Sequence, residues 1–483
     1  MKRFINMHFD ALGMVCVVAL LAWAASRRAR RDDEFLLADR TLTLFPLVAT
    51  LVMTEFNTST LLAFAAAGYR AGPMALALPL VFLVGLAFYT FTVAKQWKRF
   101  DRLSVAELFS TRYSPSLGRL VSVLLLVAMT GFSATYVKSL TLLAAPALPT
   151  WPFAALSAVL TAAVVLLVLP GGLVSVVRAD VVSFVLTVII LPVLLVVGMN
   201  KTSAVGGLAA AFPADQRVVA PLAQWAHPAL PFRFVLSLMV LTCFTYIAAP
   251  WYGQKIFAAR NERTAVAAVA WAAVLVFVLY GLVVLASAHY RVLAPNIADP
   301  QTVVPAMMLA WLPAGVRGVG FAVLLAAAFT TLAGVWTAMG AMVAADFGRR
   351  DARHTHAQRW IVAVFALLSW LGSVFLVDDI LNRLILANIP VAALAFALLA
   401  GFYWPRATAA GAWASVLVGV SWGVRCFLVV GESGGYTWPW AMYGIPLIFA
   451  AGIAVSLITR PPVRLSAPLD ISPGSPSRPS SRP

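Results

Sequence analysis

The sequence predicts an all-α polytopic membrane protein with about 13 transmembrane helices, and three observations carry that prediction. Of its 483 residues 62% are hydrophobic and only 11% charged, with a mean hydropathy of +0.91. Soluble domains sit near half apolar and a quarter charged. Apolar runs long enough for a helix to cross hydrocarbon, about 20 residues, begin near residues 9, 43, 73, 118, 151, 178, 233, 264, 315, 358, 381, 409 and 438. No period-2 alternation competes with them, so helices and not strands make the crossings.

The formal net charge of +17 invites a nucleic-acid reading, but the placement of the basic residues opposes it. With the N-terminus outside, 24 of the 35 Lys and Arg fall in cytoplasmic segments, 9 fall outside, and Lys138 and Arg425 lie within spans. This is the positive-inside asymmetry, so the charge sets topology. The expectation is an integral plasma (bacterial inner) membrane protein with a cytoplasmic C-terminus, a lipid bilayer as its medium and no nucleic-acid partner.

Taken in order, the first span has two readings. MKR, an apolar run and AWAAS resemble a cleavable signal peptide; the RRARR that follows at 27–31 anchors the cytoplasmic side of a retained helix, the reading preferred here. Cys16, Cys243 and Cys426 lie in separate apolar spans, and the five histidines lie in loops or at helix ends. Neither a disulfide framework nor a metal site with histidine ligands is expected, and no cofactor. The segment near 290–314 contains PAMMLAWLP, expected to lie along the interface with Trp311 as an anchor. Residues 461–483, rich in Pro and Ser, are expected to form a disordered cytoplasmic tail.

The second span carries the most chemistry. VMTEFNTSTLLAF, residues 52–64, places Glu55, Asn57 and several hydroxyls in an apolar run. A carboxylate at the centre of a membrane helix costs about 2.5–3.5 kcal/mol on insertion scales. At 100° per residue, positions 54–60 point all round the helix. Either the helix is interrupted there and lines a cavity, or it stays regular and its polar groups bond to neighbouring helices. In the seventh span TCFTYIAAP, residues 242–250, sets Thr242, Thr245 and Tyr246 just before Pro250. That proline marks either a second interruption or an ordinary helix end.

Five segments in order resemble the sodium/solute symporter family: FLLADRTLTLFPLVATLVMTEFNTSTLLAFAAAGYRAG at 35–72, KRFDRLSVAELFSTRYSP at 98–115, PGGLVSVVRADVV at 170–182, APWYGQKIFAARNERTA at 249–265 and LLAAAFTTLAGVWTAMGAMVAADFGRR at 324–350. Ser104 stands at a family threonine position, Ala179 replaces the usual threonine and Ser183 the usual glutamine. The resemblance covers roughly residues 30–460 and implies a LeuT-like five-plus-five inverted repeat with extra helices. Residues 1–42 would be an N-terminal extra helix and loop, 43–200 the first repeat, 201–232 an outer loop, 233–402 the second repeat and 403–460 two further helices.

The resemblance also implies sites. Sodium would be held by the carbonyls of Met53, Phe56 and Ala327 and the hydroxyls of Thr330 and Thr331; sodium is a hard cation that prefers oxygen. From the residues alone, paired threonines in a membrane helix usually bond back to the preceding turn. A second ion site of some members needs hydroxyls where this chain has Ala333 and Gly334, so one sodium per cycle is expected. Asp180 is either a helix-terminal charge or part of the ion exit path. Candidates for solute or coupling roles are Glu55, Asn57, Thr245, Tyr246, Lys138 and Asp180. Glu55 has three readings: negative charge near the ion, the one preferred here, an acceptor for the solute, or a carrier of the coupling proton. Lys138 either snorkels or draws an anionic solute to the outer vestibule.

The function these features imply is a secondary transporter that couples sodium entry to uptake of a small polar organic solute by alternating access. Proton coupling through Glu55 and a ligand-binding membrane sensor are the alternatives. An enzyme is not expected, because no nucleophile, base and oxyanion donors gather at one membrane depth.

Overall fold

The computed structural model describes residues 2–25, 40–102, 104–347 and 355–460. The tail from 461, the basic run at 27–31 and the FLLAD start of the family-like stretch lie outside them. Among the described residues the chain is helical apart from turns and one isolated bridge, in which Leu42 pairs with Ala259.

The first helix, α1 (Lys2–Ala25), packs on the later helix Val316–Phe347 at a close crossing. A Cβ added to Gly318 would meet the Asp10 carbonyl oxygen at 2.0 Å, so only glycine admits the approach. The Asp10 carboxylate accepts from Arg317 Nε at 2.8 Å and from the Gly315 N–H at 2.9 Å.

The second expected span is interrupted. It forms α2 (Leu44–Glu55) and α3 (Thr58–Ala71), followed by a 3-10 turn and α4 (Ala77–Thr92). Next come α5 (Ala94–Phe100) and α6 (Glu107–Arg112). Then α7 (Pro115–Ala144) starts on a Ser114 cap with Pro115 at its first position, the preferred N-terminal pairing.

The fifth and sixth expected spans fall within one helical element, α8 (Phe153–Ser203), of 51 residues. At 1.5 Å per residue that is about 76 Å of helix, more than twice a hydrocarbon core of about 30 Å, so α8 is longer than a single crossing needs.

The seventh span bends by 48° between α9 (Phe232–Tyr246) and α10 (Pro250–Phe257). It is followed by α11 (Glu262–Leu293), α12 (Val303–Trp311), α13 (Val316–Phe347) and α14 (Thr355–Phe375). A second bend of 42° separates Ile380–Ala392, which begins with α15 (Ile380–Ala387), from α16 (Ala395–Tyr403). The chain closes with α17 (Ala409–Val430) and α18 (Ile445–Ile458).

By length and apolarity, 7 described helices can cross a membrane, or up to 9 with each bent pair taken as one span. The sequence count of about thirteen is higher; the described residues also hold the shorter apolar helices Asp10–Leu20, Leu44–Glu55, Phe153–Leu166 and Trp360–Phe375, which fall below the length counted.

Trp311 corrects one expectation. It does not anchor α12 at the interface; it is buried, edge-on to Tyr290 at 5.2 Å. Gly198 makes the room, since a Cβ there would stand 2.7 Å from the Trp311 ring.

Candidate functional site

The site begins at the break between α2 and α3, and Asn57 makes it. Its backbone N–H turns back to the Glu55 carbonyl at 2.8 Å, and its Nδ2 donates to the same oxygen at 3.0 Å. Its Oδ1 caps α3 by accepting from the Thr60 N–H at 2.9 Å. In an unbroken helix the Asn57 N–H would serve the Met53 carbonyl and the Thr60 N–H the Phe56 carbonyl. Both carbonyls thus lose their helical donors, and they are the two that the family resemblance assigns to sodium.

The Glu55 carbonyl is further satisfied by the Tyr280 hydroxyl of α11 at 2.5 Å. Below the break, Thr58 and Ser59 share Ser139 of α7 at 2.8 and 2.9 Å. The helix is interrupted and not regular, although the hydroxyls just beyond the break are also bonded across to a neighbour.

On α13 the Thr331 hydroxyl donates to the Met53 carbonyl at 3.1 Å and to the Ala327 carbonyl at 2.8 Å, while Thr330 donates to Ala327 at 3.2 Å. Met53, Ala327, Thr330 and Thr331 thus form one buried cluster, with Phe56 buried at the adjoining break. Every donor atom is a neutral oxygen, the chemistry a hard monovalent cation prefers, and each hydroxyl can turn its lone pairs inward.

The second break, Ile247–Ala249, precedes Pro250, which has no N–H to continue the helix. The Ile247 carbonyl accepts from Trp97 Nε1 of α5 at 2.8 Å. Between the two breaks lies a cavity of about 110 Å³, lined by Glu55, Asn57, Thr245 and Tyr246 with Phe82, Phe132, Tyr136, Trp251, Asn388 and Trp440 among others. Glu55 is 2% exposed, and its Oε2 accepts from the Tyr246 hydroxyl.

The structure brings four of the six solute or coupling candidates to this cavity. Lys138 is elsewhere, its ammonium 4.3 Å from the centre of the Phe153 ring near the start of α8. Asp180 is also elsewhere: its Oδ2 accepts from the Thr50 hydroxyl at 2.5 Å and pairs with Lys255 at 3.1 Å.

Lys255 was not singled out in the sequence. It is 4% exposed, donates to the Thr50 carbonyl at 2.9 Å and to the Thr54 hydroxyl, and so ties α10 to α2 and α8. The available signal was its place in PWYGQK, where the family pattern carries arginine. Tyr280 and Trp97, which satisfy the opened carbonyls, gave no signal, being ordinary aromatics in apolar or amphipathic helices.

The comparisons with known proteins agree with this architecture. The model of the sodium:solute symporter family matches residues 35–419, and the chain belongs to that family. Among solved structures, a substrate-bound, outward-open Na+-coupled sialic acid symporter aligns with a TM-score of 0.74 at 15% identity, covering 95% of this chain and 98% of that one. An inward-facing conformation of Mhp1 aligns at 0.53 and 14% identity over 89% and 96%. A mutant of the manganese transporter of Eremococcus coleocola aligns at 0.52 and 14% identity over 89% and 97%. At these identities the likeness is one of fold, the LeuT-like fold of integral membrane transporters. No curated protein matches the chain by sequence.

Proposed function

We propose that this protein is a sodium-coupled symporter that takes up a small organic solute by alternating access. The observation that carries the reading is the pair of carbonyls, Met53 and Phe56, that lose their helical donors at the Asn57 break, with the Met53 carbonyl meeting Thr331 of α13. Sodium binds to these two carbonyls, the Ala327 carbonyl and the hydroxyls of Thr330 and Thr331, and the solute binds in the cavity between the breaks. Ion and solute sites share α2 and the break, so filling one changes the freedom of the other.

One sodium moves per cycle. Ala333 and Gly334 offer no hydroxyls, and Asp180, the acid left for a second ion, is already paired with a covalently tethered cation, Lys255. Glu55 faces the solute cavity and bonds to Tyr246, which favours a solute role over the sequence preference for charge beside the ion. The N-terminus lies outside and the C-terminus in the cytoplasm, following the basic loops.

The test uses the reconstituted protein in proteoliposomes with an imposed inward sodium gradient and a labelled mixture of small metabolites. Sodium-driven accumulation of a component supports the reading. Accumulation driven by a proton gradient alone would replace it with proton coupling, and binding without accumulation would replace it with a sensor.

A further inference from the structure

Glu55 holds an unused bonding capacity. Its Oε2 is engaged by Tyr246, but Oε1 is buried and has no hydrogen-bond partner. The Trp251 indole, on the same cavity wall, stabilises the charged carboxylate as a side-chain hydrogen-bond donor, but not in a geometry that gives Oε1 a full partner. A buried carboxylate oxygen without a protein partner is costly, and a group in the cavity that supplies a donor or a positive charge to Oε1 removes that cost.

The rest of the cavity indicates what that is. Among the described residues Glu55 is the only charged one in the lining, and Phe82, Phe132, Tyr136, Trp251 and Trp440 supply aromatic surface. Lys255 acts on Glu55 through space, but its ammonium is committed to Asp180, Thr50 and Thr54. A pocket whose acidic group is walled by aromatic rings favours organic cations over anions, since a cation stabilises the ionised carboxylate by ion pairing and meets the rings by cation–π attraction.

We propose that the transported solute presents an ammonium group to Glu55 Oε1, seated on a compact apolar body among the aromatic rings. This deepens the symporter reading and rests on it, since it assigns the solute class to the same cavity. Asn57 and Asn388, the lining amides, supply polar contacts to the remainder of the solute. Thr330 and Thr331 are not among the cavity-lining residues, so sodium binding and ammonium binding are separable by mutation.

The experiment measures binding of three probes of one shape to the purified full chain at fixed saturating sodium: cyclohexylammonium, cyclohexanol and cyclohexanecarboxylate. Cyclohexylammonium is expected to bind at least about tenfold more tightly than the neutral and anionic probes. Equal or tighter binding of either of those overturns the proposal, and this comparison needs no variant. In Glu55→Gln the preference for the cation is expected to vanish while sodium still raises the melting temperature. A Glu55→Gln protein that keeps the preference, or that loses the sodium effect, overturns it as well; the latter moves Glu55 to the ion. Failure of the symporter reading has a different signature, because sodium would then not stabilise even the unmodified chain.

Discussion

At the scale of single residues, the site depends on partners far apart in the chain. Lys255 and Thr50 are 205 positions apart, and Tyr280 and Glu55 are 225 apart. Glu55 was legible because a carboxylate in an apolar run is conspicuous by itself. Thr330 and Thr331 were legible only through the order of the family motifs, since the same residues also bond back to Ala327 as any helical threonine does. Lys255 was missed because its significance lies in what folding places beside it. Removing it leaves Asp180 as an uncompensated buried charge. Lys255→Met is therefore expected to destabilise the protein by about 3–5 kcal/mol, read by denaturant titration in detergent, while Lys255→Arg retains the pair and loses much less. A Lys255→Met protein as stable as the original would show that the ion pair is not a structural tie.

At the scale of elements, the two breaks flank the proposed solute cavity and were readable to different degrees. The first was signalled by the density of polar groups over 54–60, and the structure traces it to one residue, Asn57, with Tyr280 as a distant support. The second was signalled only by Pro250, and its other half, the Trp97 bond to Ile247, has no local signature. Asn57→Ala removes the cap on α3 and the side-chain bond to Glu55. It is expected to cost about 0.5–2 kcal/mol of stability and to weaken sodium binding, because the chain can then close toward a regular helix that re-engages the Met53 and Phe56 carbonyls. A radiolabelled sodium binding assay measures this; unchanged affinity would mean that the carbonyls stay open without Asn57. The interfacial reading of α12 failed for a related reason. Trp311 has the composition of an anchor, but a glycine on another helix, Gly198, offers it a buried seat, and such a seat is invisible along the sequence.

At the scale of the whole molecule, the class was fixed by physics that composition exposes directly: too little charge for a soluble domain and too many apolar runs for anything but a bundle. The helix count was less accessible, since apolar length does not reveal where spans join or break, as α8 and the two bent pairs demonstrate. The proposal of one sodium per cycle rests on the absent hydroxyls at Ala333 and Gly334 together with the Asp180–Lys255 pair. Reversal potentials of proteoliposomes loaded with the identified solute are expected to give a sodium-to-solute ratio of one; a ratio clearly above one would require a second ion site.

The most direct test of the central claim is the melting temperature of the purified protein in sodium, potassium and choline salts at fixed pH, for the unmodified chain, Thr331→Ala and Thr330→Ala/Thr331→Ala. A ligand that binds only the folded state raises the melting temperature as its concentration passes the dissociation constant. The account predicts a sodium-selective rise that is lost in the double variant and largely lost in Thr331→Ala, whose hydroxyl meets both the Met53 and Ala327 carbonyls. A rise that is equal in all three salts, or that survives the loss of both threonines, would contradict it.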